Sequence, residues 1–215
     1  GKDRVIIEGI KTIDELTKSI NSLSKKLRDF YELHNPEFSR TIESNEKFCE
    51  IISLGNDVKK EGSMGSKIFM PEDIAMMKTL AGKIVELNGL KKKAEDYIEK
   101  KILKEYPNFA SVATPKIGAR LIEKAGSFEK IAMMPASRIQ VLGAEKALFR
   151  FLKTNSRPPK HGILFEHPYV QDADKKDKGR ISRILSDKIS MATKIDYFGK
   201  RDETKNLLKQ VEEAI

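Results

Sequence analysis

The chain has no tryptophan, one cysteine and only three histidines among its 215 residues. The single cysteine, Cys49, excludes an internal disulfide and a cysteine-built zinc site, and makes a reducing, intracellular compartment the expectation. No nucleophile–base set is visible. Cys49 lies in a charge-balanced half, and His34, His161 and His167 lack a carboxylate at a spacing that would orient a ring for acid–base work. The expectation is a protein that is not an enzyme. No apolar run approaches the roughly 18 residues of a membrane-crossing helix. The first ten residues carry charges inside their apolar stretch, unlike a secretory signal.

Charge is what the chain has in abundance: 34% of residues are charged and the net charge is +9. The excess is uneven. Residues 1–107 hold 20 Lys and Arg against 19 Asp and Glu, whereas residues 108–215 hold 21 against 13. The second half therefore carries a potential that attracts a polyanion, although a basic surface kept for solubility would look the same.

The first half has a helical period. Ile6, Ile13, Ile20 and Leu27 recur every seven residues, with Leu16, Leu23 and Phe30 three positions behind. This is an a/d seam on one helix over about residues 3–33. Asn35-Pro36 interrupts it, and a second helix is expected from Glu37 to about Ser53. Gly55, Gly62, Ser63, Gly65 and Ser66 mark a loop up to Pro71. Pro71-Glu72-Asp73 then opens a helix whose Met77, Leu80, Ile84, Leu87, Ala94 and Ile98 repeat the seam to about Lys104, with Lys91 as one break. Two long seamed helices predict an antiparallel hairpin. Self-association and an intramolecular bundle are both compatible with that period.

In the second half, the segment from Pro107 to about Leu142 reads as short helices broken at Thr114-Pro115, Gly126-Ser127 and Pro135. Such glycine-bearing turns also suit a helix-hairpin-helix DNA-binding unit, where backbone N–H groups meet phosphates. From Gly143 to Gly162, Lys146, Arg150, Lys153 and Arg157 line one helical face at spacings of four, three and four. Ala147, Leu148, Phe151 and Leu152 are expected to be buried on the other face. A cation row without acidic partners is relieved by phosphates or by counterions. Pro158-Pro159 stops the helix and stiffens a loop that presents Lys160 and His161, a cation and a ring suited to an unpaired base. A last long helix runs from about Lys178 to Phe198. Ile181, Ile184, Leu185, Ile189, Ala192 and Ile195 form its inner side, Arg180, Arg183 and Lys194 another side, and Lys188 the edge. The candidate RNA-binding residues are therefore Lys146, Arg150, Lys153, Arg157, Lys160, His161, Arg180, Arg183, Lys188 and Lys194. Asp172, Asp174 and Asp177 sit among lysines in a loop, and no metal site is expected there.

Leu142-Gly143-Ala144-Glu145-Lys146-Ala147-Leu148-Phe149-Arg150, Arg157-Pro158-Pro159-Lys160-His161-Gly162, Pro135 to Gln140 and the helix from Gly179 to Tyr197 closely resemble the Nop domain, over residues 108 to about 200. Phe151 stands where many members carry histidine or another polar residue. The seamed helices resemble that family's coiled-coil domain. The resemblance implies an all-α fold: a long antiparallel coiled-coil hairpin over residues 1–107 that dimerises, then a compact helical Nop domain over 108–215. It implies a non-catalytic scaffold of archaeal box C/D small RNPs that binds a kink-turn guide RNA with its ribosomal-type RNA-binding protein, in support of 2′-O-methylation of rRNA. No cofactor and no membrane partner are implied. Archaeal members are cytoplasmic and eukaryotic relatives nucleolar. The family's fibrillarin-binding domain precedes the coiled coil, and the expectation is that this chain lacks it, along with a lysine-rich tail.

Overall fold

The computed structural model describes residues 1–55, 69–154, 156–199 and 201–215. The expected loop positions Gly62, Ser63, Gly65 and Ser66 lie outside the described residues. Among the described residues every regular element is helical. The long helices are α1 (Lys2–Glu32) and α4 (Pro71–Glu105), with α2 (Pro36–Thr41) and α3 (Asn45–Leu54) between them. There follow α5 (Pro107–Ala113), α6 (Pro115–Ala125), α7 (Phe128–Met133), α8 (Ala136–Gln140) and α9 (Glu145–Thr154). A 3-10 turn (Ile163–Glu166), α10 (Pro168–Gln171), α11 (Lys178–Lys194), a π-turn (Ile195–Gly199) and α12 (Thr204–Ala214) complete the chain. The chain packs as two compact units, residues 12–94 and residues 1–11 with 95–215.

In the unit of residues 12–94, the seam of α1 is not buried evenly. Ile13, Ile20 and Leu27 are fully buried, whereas Leu16, Leu23 and Phe30 are only partly so. Phe48, Cys49 and Ile52 of α3 enter the same core as Met77, Ala81 and Ile84 of α4. The single helix expected from Glu37 to Ser53 is in fact two. Asn35 caps the first by accepting from the Phe38 N–H at 3.1 Å, and Ser44 starts the second by accepting from Lys47 N–H at 3.4 Å. The carbonyls freed at the break are taken up by Arg28, which donates to Ser39 at 2.7 Å and to Ile42 at 2.5 Å. Its guanidinium also lies 4.4 Å from the Phe48 ring centroid. Burial pushes the Cys49 thiol up against a weaker pull from Ser24, so the thiol stays protonated and inert.

In the other unit the ends of α1 and α4 run antiparallel. Lys2 pairs with Glu105 at 2.6 Å, and Gly9 backs onto the Ile98 side chain. α11 is the central element, packed by α5, α7, α8, α10 and α12. Ile181, Leu185, Ile189 and Ala192 are buried as expected, while Ile184 and Ile195 are half-buried. Each full Ile or Leu burial is worth about 1.5–3 kcal/mol relative to exposure. Ser182, Ser186 and Thr193 let neighbours approach closely. Their hydroxyls return to α11's own carbonyls at 2.8, 2.8 and 2.6 Å, so no buried donor is orphaned. α12 has no counterpart among the sequence expectations. It docks through Leu207 and Val211.

Asn108 and Asp196 join these pieces. The Asp196 carboxylate accepts from the Phe109 N–H at 2.8 Å and so caps α5 from across the unit. Asn108 donates to Asp196 at 2.6 Å and to the Arg201 carbonyl at 2.7 Å. It accepts from the Glu203 N–H at 2.8 Å and from the Thr204 hydroxyl at 3.4 Å. Burial raises the Asp196 carboxyl above the usual carboxylate range, against the pull of those donors.

Candidate nucleic-acid interface

The loop after α9 is set by a backbone exchange. Gly162 N–H donates to the Gln140 carbonyl at 3.0 Å and Ile163 N–H to Leu142 at 2.8 Å. Gly143 turns the chain at φ +91, a conformation that L side chains rarely adopt. At Gly162 a β-carbon would collide with the Leu142 carbonyl oxygen. Gln140 then bridges the loop to α11, its side-chain amide donating to the Lys160 carbonyl at 2.7 Å and reaching the Gly179 carbonyl at 3.5 Å. The Lys160 stem lies on Gly179, where a β-carbon would approach Cδ to 3.2 Å.

These constraints build a cleft of about 590 Å³ with Arg157, Lys160, Lys176, Arg180 and Arg183 on its walls and Pro158-Pro159 at its rim. Of the ten candidate residues, the fold brings Arg157, Lys160, Arg180 and Arg183 together here. Arg180 has a further engagement: its guanidinium donates to the carbonyls of Ala214 and Ile215 at 3.3 and 3.0 Å. Beside the cleft the His161 ring stacks on Phe165 at 4.6 Å and 28°, and the Lys178 ammonium lies 5.1 Å from the Phe165 centroid. Burial lowers the His161 proton affinity, and the cations Lys178 and Lys160 lower it further, so the ring is neutral at pH 7.

Lys146, Arg150 and Lys153 are exposed on α9, as the period implies. The burial expected for Ala147, Leu148, Phe151 and Leu152 is not found. No residue of α9 is buried: Ala147 is exposed, Leu152 is 68% exposed, and Leu148 and Phe151 are half-buried. Phe149 is 62% exposed as well. The helix packs little against its own unit, and an amphipathic period is identical whether its apolar side meets the same chain or another. Lys188 and Lys194 are not in the cleft. Lys188 donates to Gln210 of α12 at 2.7 Å, and Lys194 lines a separate groove between α11 and α12. Gln140, Phe165, Lys176 and Lys178 were not among the sequence candidates, because the folded loop, not a helical period, brings them to the cleft and the stack beside it. Among the described residues no group of His, Cys, Asp and Glu could hold a metal ion, Asp172, Asp174 and Asp177 included. No described helix is long and apolar enough to cross a membrane.

Comparison with known proteins places this arrangement. Residues 12–215 match the family model described as Nop, snoRNA binding domain, fibrillarin. An uncharacterised NOP5 family protein of Methanocaldococcus jannaschii is 37% identical over 99% of this chain and 57% of its own length. Nucleolar protein 56 of Schizosaccharomyces pombe is 33% identical over 99% of this chain and 49% of its own length. The chain thus spans about half the length of the curated relatives it matches. A crystal structure of a fibrillarin/Nop5p complex superposes with a TM-score of 0.64 at 28% identity, covering 99% of this chain and 69% of that one. With a coiled-coil hairpin, a compact helical domain carrying a basic cleft and a family match over most of its length, the chain belongs to the Nop family of snoRNA-binding proteins.

Proposed function

We propose that this chain is a non-catalytic scaffold of a box C/D small RNP, which binds a kink-turn RNA together with the ribosomal-type protein already seated on it. The observation that carries this reading is the convergence of Arg157, Lys160, Arg180 and Arg183 on one cleft, beside the His161–Phe165 stack. Cations at fixed spacing hold phosphates and set register without reading sequence. A neutral, pre-stacked imidazole offers its open face to a base splayed from the kink. The basic row of α9 extends the phosphate track, and the exposed Phe149 and Leu152 on the same helix supply an apolar patch for the helper protein.

Residues 1–107 are assigned to dimerisation and 108–215 to the RNP contact. α4 supports self-association through a second stripe. Met76, Leu90 and Tyr97 lie at multiples of seven and are exposed, and β-carbons at Gly82 and Gly89 would meet open space. Fibrillarin, the partner in the comparison structure, belongs to the same assembly, with 2′-O-methylation as its reaction. The curated relatives from eukaryotes are named nucleolar proteins, and a nucleolar or archaeal cytoplasmic setting fits this role.

The test is a gel shift on a kink-turn RNA with and without its ribosomal-type protein, with a DNA duplex as control. A supershift of the RNA–protein complex alone is expected. Arg157→Ala with Lys160→Ala should weaken it strongly and lower the salt slope by about two. Equal affinity for the duplex, without the helper, would sink the reading in favour of a helix-hairpin-helix DNA binder.

A further inference from the structure

We propose that the groove between α11, the π-turn and α12 is a second RNA site, which takes an unpaired nucleotide with its base on Phe198 and its phosphate between Lys194 and Arg201. The proposal rests on the reading of this domain as RNA-binding but uses none of the residues of the cleft.

The groove encloses about 450 Å³, within the range of small-ligand pockets. The π-turn adds residues beyond the regular period of α11 and carries Tyr197 and Phe198 off the buried stripe. Phe198 is 64% exposed and Met191, beside it, 45%. Tyr197 meets Phe198 edge-on at 4.8 Å and 88°, so the platform has a second ring against its side. An exposed aromatic is what base stacking uses, whatever the base.

The charges in the groove sort themselves. Lys188 donates to Gln210 at 2.7 Å, Gln210 to Asn206 at 3.1 Å, and Asn206 to Glu203 at 3.2 Å. This ladder runs from a cation to an anion and neutralises itself along one wall. Among the described residues, Lys194 and Arg201 remain as the charges lining the groove without a place in that ladder. An apolar patch between two cations complements a base joined to a phosphate, whereas a purely apolar partner segment would leave both charges to be desolvated. Lys194 follows Arg183 by eleven residues on α11, so the two sites lie about 16 Å apart along the helix. One strand leaving the kink could occupy both.

The probe is a fluorescein-labelled decauridylate, titrated by anisotropy into the full chain. Phe198→Ala should weaken binding on the order of tenfold, Phe198→Trp should retain it, and Lys194→Ala with Arg201→Ala should weaken it and reduce the salt slope by about two. Phe198 is exposed, so an unchanged melting temperature is expected and separates loss of binding from loss of fold. Arg157→Ala with Lys160→Ala should largely lose the kink-turn supershift while the loss of decauridylate affinity caused by Phe198→Ala persists in that background. Wild-type affinity in Phe198→Ala overturns the proposal. So does decauridylate binding that only the Arg157 and Lys160 changes remove, since the strand then lies in the cleft. A changed sedimentation coefficient in Phe198→Ala with RNA binding intact also overturns it and assigns the groove to a protein. If no supershift forms but Phe198→Ala still loses decauridylate, the scaffold reading falls and this site stands.

Discussion

Two imidazoles in one domain are neutral at pH 7, and their environments separate their roles. His161 is half-exposed on a ring stack beside the cleft. His167 is buried, its Nε2 3.1 Å from the Val112 carbonyl oxygen while its Nδ1 accepts from the Tyr169 N–H at 3.3 Å. That pairing requires the proton on Nε2. Burial depresses the His167 proton affinity below its ordinary value, near 6.5 for a free imidazole. The unfolded chain therefore takes the proton first as pH falls. The stability contributed by neutral His167 is complete above pH 6.5 and is lost as pH drops below it. Urea midpoints of the wild type should fall between pH 7.5 and 5.5 by more than those of His167→Gln, which can still donate to Val112. Parallel pH curves for the two would refute this. Arg180 also has a structural use. By meeting the last carbonyls of α12 it acts at a helix C-terminus, worth about 0.3–1 kcal/mol, so Arg180→Ala should lower the melting temperature slightly, as Arg183→Ala should not.

At the scale of elements, the loop of Lys160 and His161 is held by its glycine rather than by its prolines alone. Gly162→Ala would drive a β-carbon into the Leu142 carbonyl oxygen. It should cost about 1–3 kcal/mol by overpacking and should weaken the kink-turn supershift, since Lys160 and His161 move with the backbone. α9 behaves in the opposite way. Phe149→Ser with Leu152→Ser removes side chains that are exposed, so calorimetry should show a nearly unchanged midpoint while the supershift with the helper protein is lost. This contrast marks what was legible in the sequence. The seam of α1, the starts at Pro71, Pro107 and Pro115, and the inner side of α11 follow from period and capping, which are local. The burial of α9 was misjudged because period does not say whose surface covers a face. Helix α12 was missed because Leu207 and Val211 leave too short a stripe in eleven residues to stand out. The basic row of α11 was read as one surface because helical angle was counted without axial distance. Arg183 and Lys194 share a side, but one serves the cleft and the other a groove further along.

For the whole molecule, the dimerisation proposed for residues 1–107 would have to rest on apolar contact, because the charge there is balanced. On that proposal the wild type sediments as a dimer and Met76→Lys with Leu90→Lys as a monomer, with little change in melting temperature, because both side chains are exposed in the single chain. Association that persists would move the dimer contact elsewhere.

Asn108 has a consequence of another kind. Its carboxamide uses both donors and its oxygen in four bonds that reach Asp196, Arg201, Glu203 and Thr204. No part of that amide is left for water, so its two side-chain protons should exchange with deuterium on the timescale of α12's backbone amides. The last helix and the first turn of α5 then open as one event or not at all. Asn108→Asp replaces a donor with a charge facing Asp196, and should turn that single slow opening into rapid, independent fraying of α12 while the protection of α1 and α4 stays as it was.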